Sequence, residues 1–234
     1  MIDRQSQGIK YFTVLISLLR DRQIFLEEIR QGVRIPNKVF SLLICSSIFL
    51  AIYGGIIGIS HSWMQALASA VKLPALYLIT LLICLPTLYF ANIIFGSKRT
   101  LGQHLALVLT AVALTSVLLF SFAPISLFFL LSTNSYQFLI LLNVIIFALT
   151  GFIGISFLYK GANLVLEQNT EGWDTRQKIL KFWLFLYGFV GMQLGWTLRP
   201  FFGTPDSPFS LFREREGNFY VSVVQSLVYL LGFR

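Results

Sequence analysis

Among the polar side chains within the long apolar stretches of this sequence, Asn92, His104, Asn143 and Gln193 are those with which a membrane enzyme would have to work. An amide at hydrocarbon depth can line a path for a polar solute, since leaving it unpaired in lipid costs several kcal/mol. It can also hydrogen-bond across helices and hold them together, at about 0.6 kcal/mol per contact. For Asn92, Asn143 and Gln193 the second role is the expectation. His61 and His104 are solitary, and Cys45 and Cys84 lie in apolar runs with no CxxC neighbour, so the sequence points to buried inert thiols and to no metal site. No GxxxxGK[ST], HExxH or GxSxG motif occurs, and no acidic pair stands where a cofactor or metal would need it. Without a nucleophile and base to work with, the expectation is a protein that is not an enzyme, with no catalytic residue and no cofactor.

The second candidate is the stretch GMQLGWTLRPFFGTPDSPF, Gly191 to Phe209. Gln193, Trp196, Arg199, Pro200 and Asp206 form a motif that suits either a fold constraint or a partner contact. Trp196 fits a membrane interface, Pro200 stops the helix, and Arg199 can reach a lipid phosphate, a helix carbonyl or Asp206. Arg199 is therefore the basic residue on which the protein is expected to depend most.

These groups must be positioned by helices that cross a bilayer. Of 234 residues, 56% are hydrophobic and 12% charged, against about a quarter charged in a soluble domain. Several uncharged runs reach the roughly 20 residues that span about 30 Å of hydrocarbon. The fold class expected is an all-α, polytopic transmembrane bundle with five spans: about 40–60, 74–96, 104–131, 136–159 and 179–198. A further apolar stretch, 219–233, reads equally as a short sixth span or as a helix lying against the bundle. Residues 1–38 form a separate segment of one or two amphipathic helices at the interface, and 39–234 the bundle.

Particular residues set these boundaries. Pro74 suits a helix start, which leaves His61–Lys72 as a linker. Pro86 kinks the second span, and Pro124 is expected to break the third, leaving a bent or re-entrant end. Gly54 and Gly58 in the first span, Gly151 and Gly154 in the fourth, and Gly188, Gly191 and Gly195 in the fifth recur at intervals that let helices approach. Apart from Lys181 the spans so bounded contain no Asp, Glu, Lys or Arg, which lowers the case for an ion-coupled carrier.

Lysine and arginine set the orientation. Thirteen lie in the N-terminal segment, the 97–103 loop and the 160–181 region, whereas Lys72, Arg199, Arg213 and Arg215 fall on the other side. The N-terminus is thus expected in the cytoplasm. The net charge of +8 is explained by these flanking residues and not by a nucleic-acid partner. The N-terminal segment, with seven basic residues, is expected to meet anionic lipid headgroups.

The segments Lys72-Leu73-Pro74 through Pro86-Thr87-Leu88-Tyr89-Phe90-Ala91-Asn92, and Gly195-Trp196-Thr197-Leu198-Arg199-Pro200-Phe201, resemble those of uncharacterised bacterial multi-pass proteins, cyanobacterial ones included. The five-span layout behind a cytoplasmic N-terminal segment is similar to that of Yip1-domain proteins, which are associated with membrane trafficking and organisation. The resemblance implies a bacterial inner or thylakoid membrane and a non-enzymatic role in organising other membrane proteins. A small-solute permease or channel, and a lipid-modifying enzyme, are the alternatives.

The charge asymmetry makes a direct prediction. Reporters fused after Met1 or within 160–176 should report the cytoplasm, and one placed in 132–135 the opposite compartment. Cytoplasmic labelling in 132–135 would refute the alternation of the third and fourth spans.

Overall fold

The computed structural model describes residues 2–94, 97, 99–133, 135–165, 173–202, 211–212 and 228. Within them lie seven helices: α1 (Ile2–Arg20), α2 (Arg22–Arg30), α3 (Ile35–Gly58), α4 (Trp63–Ile94), α5 (Leu101–Ser132), α6 (Tyr136–Val165) and α7 (Trp173–Thr197). Helices α3 to α7 are long and apolar enough to cross a bilayer, which makes the chain a multi-pass, all-α integral membrane protein. The 219–233 stretch lies outside the described residues, except Val228.

The spans overrun their expected limits, and two expectations from proline are overturned. Residues 63–72 are helix, not linker, so that Pro74 lies inside α4. At 32 residues and about 1.5 Å each, α4 is roughly 48 Å long. Pro124 does not break α5, which runs on to Ser132. Each proline removes only one intrahelical hydrogen bond, and packed neighbours hold the helix on either side of the gap. On the next helix, Trp183 Nε1 donates to the carbonyl of Cys84, two residues before Pro86, at 2.8 Å. The region between the fourth and fifth spans shrinks to 166–172, because α6 continues to Val165 and α7 begins at Trp173.

Helix α5 is the centre. Most of its residues from Ala106 to Ser116 are buried on every side, and many are Ala, Ser or Thr. Helices α3 and α6 pack on it, α4 packs on α3, and α7 packs on α4. Helix α7 also reaches α6 through Gln177, which accepts from the Tyr159 hydroxyl at 2.8 Å and donates to Asn163 Oδ1 at 2.7 Å. Cys45 and Cys84 are buried free thiols.

The glycines differ sharply in what they do. A Cβ at Gly58 would stand 2.6 Å from the Gln65 carbonyl oxygen, and one at Gly54 would collide with the Ser69 carbonyl, so α3 and α4 touch backbone to backbone. Gly154 faces Thr115 in the same tight manner. At Gly188, Gly191 and Gly195 the neighbours Ile155, Thr80 and Leu76 are 4.0, 3.7 and 3.9 Å away, an ordinary contact. Gly151 meets nothing within 4 Å.

The N-terminal segment is two helices, but its apolar face is not left to lipid. Phe25, Leu26 and Ile29 of α2 are buried against the bundle. Lys38 forms an ion pair with Glu28 at 2.6 Å and lies 4.9 Å over the Phe25 ring. The α2–α3 turn uses left-handed backbone at Gly32 (φ 78°) and at Arg34 (φ 50°), the latter at some cost for a residue with a Cβ. Helix α1 packs on α3, with Tyr11 on Phe40 and Phe12 on Phe49. Phe49 stands about 21 Å along α3 at 1.5 Å per residue. Among the described side chains of α1, Phe12 and Ile16 are the exposed large apolar residues.

Gly58→Val should lower the detergent unfolding temperature markedly, since overpacking against a backbone costs about 1–3 kcal/mol. Gly151→Ala should be neutral or stabilising, by up to about 1 kcal/mol. Equal effects of the two would show that α3 and α4 are not in close contact.

Candidate functional site

The end of the bundle opposite the N-terminal segment carries a polar grip. Gln65, Ser69 and Lys72 follow one another at i, i+4 and i+7 on a single face of α4, and all three are buried. The chain leaving α7 passes across that face with its carbonyls turned towards it. Gln65 Nε2 donates to the carbonyl of Pro200 at 2.7 Å, and the Ser69 hydroxyl to that of Phe201 at 2.6 Å. Lys72 Nζ donates to the carbonyls of Pro200, at 3.3 Å, and of Leu211. The ammonium also sits 5.0 Å over the Phe212 ring.

A buried ammonium is costly unless its charge is met. Here carbonyl dipoles and an aromatic face meet it, and among the described residues no carboxylate is paired with it. Reasoning from sequence missed Lys72 because Pro74 reads as a helix start and puts the lysine in a loop. The signal available was the Gln65-Ser69-Lys72 spacing, which puts three polar groups on one helical stripe.

The expected motif is partly assembled on this grip. Pro200 is buried, follows a cis peptide bond from Arg199, and its carbonyl is the shared acceptor. Arg199 is half-buried, with its guanidinium carbon 3.4 Å from the Trp196 ring centroid. Gln193 is exposed on the outward side of α7, away from the grip. Asp206 lies outside the described residues. The structure thus joins Pro200 to α4 residues that the sequence did not single out, with Trp196 and Arg199 stacked on each other just before it.

The intramembrane amides go to different places. Asn143, 2% exposed, accepts from the Tyr53 hydroxyl at 2.7 Å and donates to the Leu139 carbonyl at 2.9 Å, while Ser126 stands 3.2 Å from the same hydroxyl. This network ties α3, α5 and α6 together. Asn92 is equally buried but donates to Leu88 within its own helix, at 2.8 Å. Among the described residues, Asn143 makes the cross-helix hydrogen bond expected of all three, whereas Asn92 and Gln193 show none.

At the N-terminal end, α5 begins with a capping box between Thr100 and Gln103. Gln103 Nε2 also donates to the carbonyls of Ile29 and Arg30, both at 2.9 Å, and Arg99 Nη1 to that of Arg30 at 2.7 Å. The Arg30 carbonyl, which has no partner within the helix, is thereby satisfied, and that of Ile29 gains a second donor beside the Gly32 N–H. Behind them a small depression is lined by Arg99, Gln103, His104, Leu107 and Val165. Gln65 Oε1, Tyr187 Oη and His104 Nε2 are buried polar atoms with no hydrogen-bond partner among the described residues. No three His, Cys, Asp or Glu side chains among those residues come close enough to hold a metal.

No family model, characterised protein or solved structure matches this chain.

These contacts make Lys72 a second basic residue, beside Arg199, on which the protein is expected to depend. Lys72→Ala strips a donor from two carbonyls, at about 1–3 kcal/mol for each group left unsatisfied. Lys160→Ala, at an exposed position, should be silent. The unfolding temperature in detergent should therefore fall for Lys72→Ala and not for Lys160→Ala, and equal values for the two would contradict the grip.

Proposed function

We propose that this chain is a non-enzymatic membrane protein that organises or assembles other membrane components, seated in a bacterial inner or thylakoid membrane with its N-terminus in the cytoplasm. One observation carries the reading: the three intramembrane amides do not converge. Asn143 is engaged with Tyr53 and Leu139, Asn92 with its own helix, and Gln193 is exposed on the outer side of α7. A permease built on these groups would need them along one water-accessible route. The five-span layout that resembles Yip1-domain proteins points to the same kind of role. Other membrane proteins are the expected partners, and anionic lipids the expected surroundings of the N-terminal segment.

Two measurements on the full chain test this. Reconstituted into vesicles, it should leave the osmotic swelling rate in glycerol, ribose or urea equal to that of protein-free vesicles. In cells, deletion should change the native-gel migration of at least one other membrane complex, and Asn143→Leu should not mimic that change unless the protein level also falls. Swelling faster than the empty vesicles, and slowed by Asn143→Leu, would replace the organising role with a permease.

A further inference from the structure

His104 lies in the first turn of α5 and is 2% exposed. Its Nδ1 is 3.0 Å from the carbonyl oxygen of Thr100. A carbonyl only accepts, so Nδ1 carries the proton and Nε2 presents a lone pair. That lone pair is buried and has no partner among the described residues. A buried acceptor without a donor has lost its water and gained nothing in return.

Its surroundings narrow what the missing donor can be. The depression that His104 lines has one further basic side chain, Arg99, and no carboxylate. It sits at the N-terminus of a 32-residue helix, where the backbone dipoles favour an anion. Gln103 frames the depression but is already engaged: Oε1 accepts from the Thr100 N–H at 2.9 Å, and Nε2 holds the α2 carbonyls. Leu107 and Val165 complete the lining with apolar surface. As the depression stands it has no room for a water molecule. Arg99 is the one lining residue that belongs to a loop and not to a helix, so a ligand enters as Arg99 Nη1 leaves the Arg30 carbonyl.

We propose that this depression binds a phosphodiester headgroup bearing a free hydroxyl, of the kind a glycerol-headed phospholipid carries. The hydroxyl donates to His104 Nε2, and the phosphate lies between Arg99 and the first turn of α5. A lipid source fits the location, because Ile93, Ile94, Leu101 and Leu164 are exposed apolar residues at the same end of α4, α5 and α6 and can carry the acyl chains. The inference is independent of the organising role and stands or falls on a different measurement.

The test is lipid-dependent thermal unfolding of the purified full chain. Phosphatidylglycerol is compared with phosphatidylmethanol, which has the same phosphodiester charge and no hydroxyl, with phosphatidylcholine, and with soluble glycerol 3-phosphate. Phosphatidylglycerol should stabilise at concentrations about tenfold lower than phosphatidylmethanol, the difference one buried hydrogen bond makes. Phosphatidylcholine should be weakest. His104→Asn keeps an amide donor for the Thr100 carbonyl but has nothing in place of Nε2, so it should erase the preference for phosphatidylglycerol over phosphatidylmethanol. Equal stabilisation of the wild-type chain by those two lipids overturns the proposal without recourse to any variant. A preference that survives in His104→Asn overturns the assignment to Nε2. Glycerol 3-phosphate acting as strongly as the lipid overturns the lipid source and leaves a soluble phosphate ester as the ligand.

Discussion

The contact between α3 and α4 is the constraint on which the far end of the molecule depends. Gly54 and Gly58 offer no side chain, so the backbone of α4 from Gln65 to Ser69 closes directly onto α3. In a membrane there is little hydrophobic force between helices, and close packing of this kind does much of the work of association. It also fixes how α4 is rotated about its axis. With that rotation set, Gln65, Ser69 and Lys72 form one buried stripe that receives the chain leaving α7. Helix α7 in turn rests mainly on α4, through Trp183 and the Cys84 carbonyl as well as through this grip.

The two ends of the bundle solve the same problem in the same way. A chain that is ending a helix or has left one carries carbonyls without intrahelical partners, and near lipid those groups must be met by the protein. At one end Gln103 and Arg99 donate to the final carbonyls of α2 and hold that helix against α5. At the other, Gln65, Ser69 and Lys72 donate to carbonyls beyond α7. Between them the Tyr53–Asn143 hydrogen bond supplies a buried polar link across α3 and α6. Polar side chains here join segments that are far apart in sequence.

Local pattern made the class of the protein legible. Uncharged runs long enough to cross hydrocarbon identified five spans, and the Gly54–Gly58 spacing marked a close helix contact that the structure contains. The motif around Trp196, Arg199 and Pro200 was also visible, since a proline after an aromatic and a cation at a helix end is a local signal. Proline misled where its effect is decided by neighbours. Pro74 and Pro124 each remove one hydrogen bond, and whether a helix survives that depends on what packs around the gap.

By itself, then, the sequence determined that this chain lives in a membrane, that five long apolar helices lie among the described residues and where its basic residues lie, because each follows from short-range hydropathy and charge. Only the tertiary structure decided which polar groups meet. Asn143 and Gln193 are both amides within apolar runs, yet one is enclosed by Tyr53 and Leu139 while the other is exposed on α7. Lys72 looked like a loop charge and became the donor that ties α4 to the chain beyond α7. The physical reason is that a helix's apolar run has no marked inner face when every side is lipid-compatible, so the rotation that buries one stripe and exposes another is set by contacts with other helices.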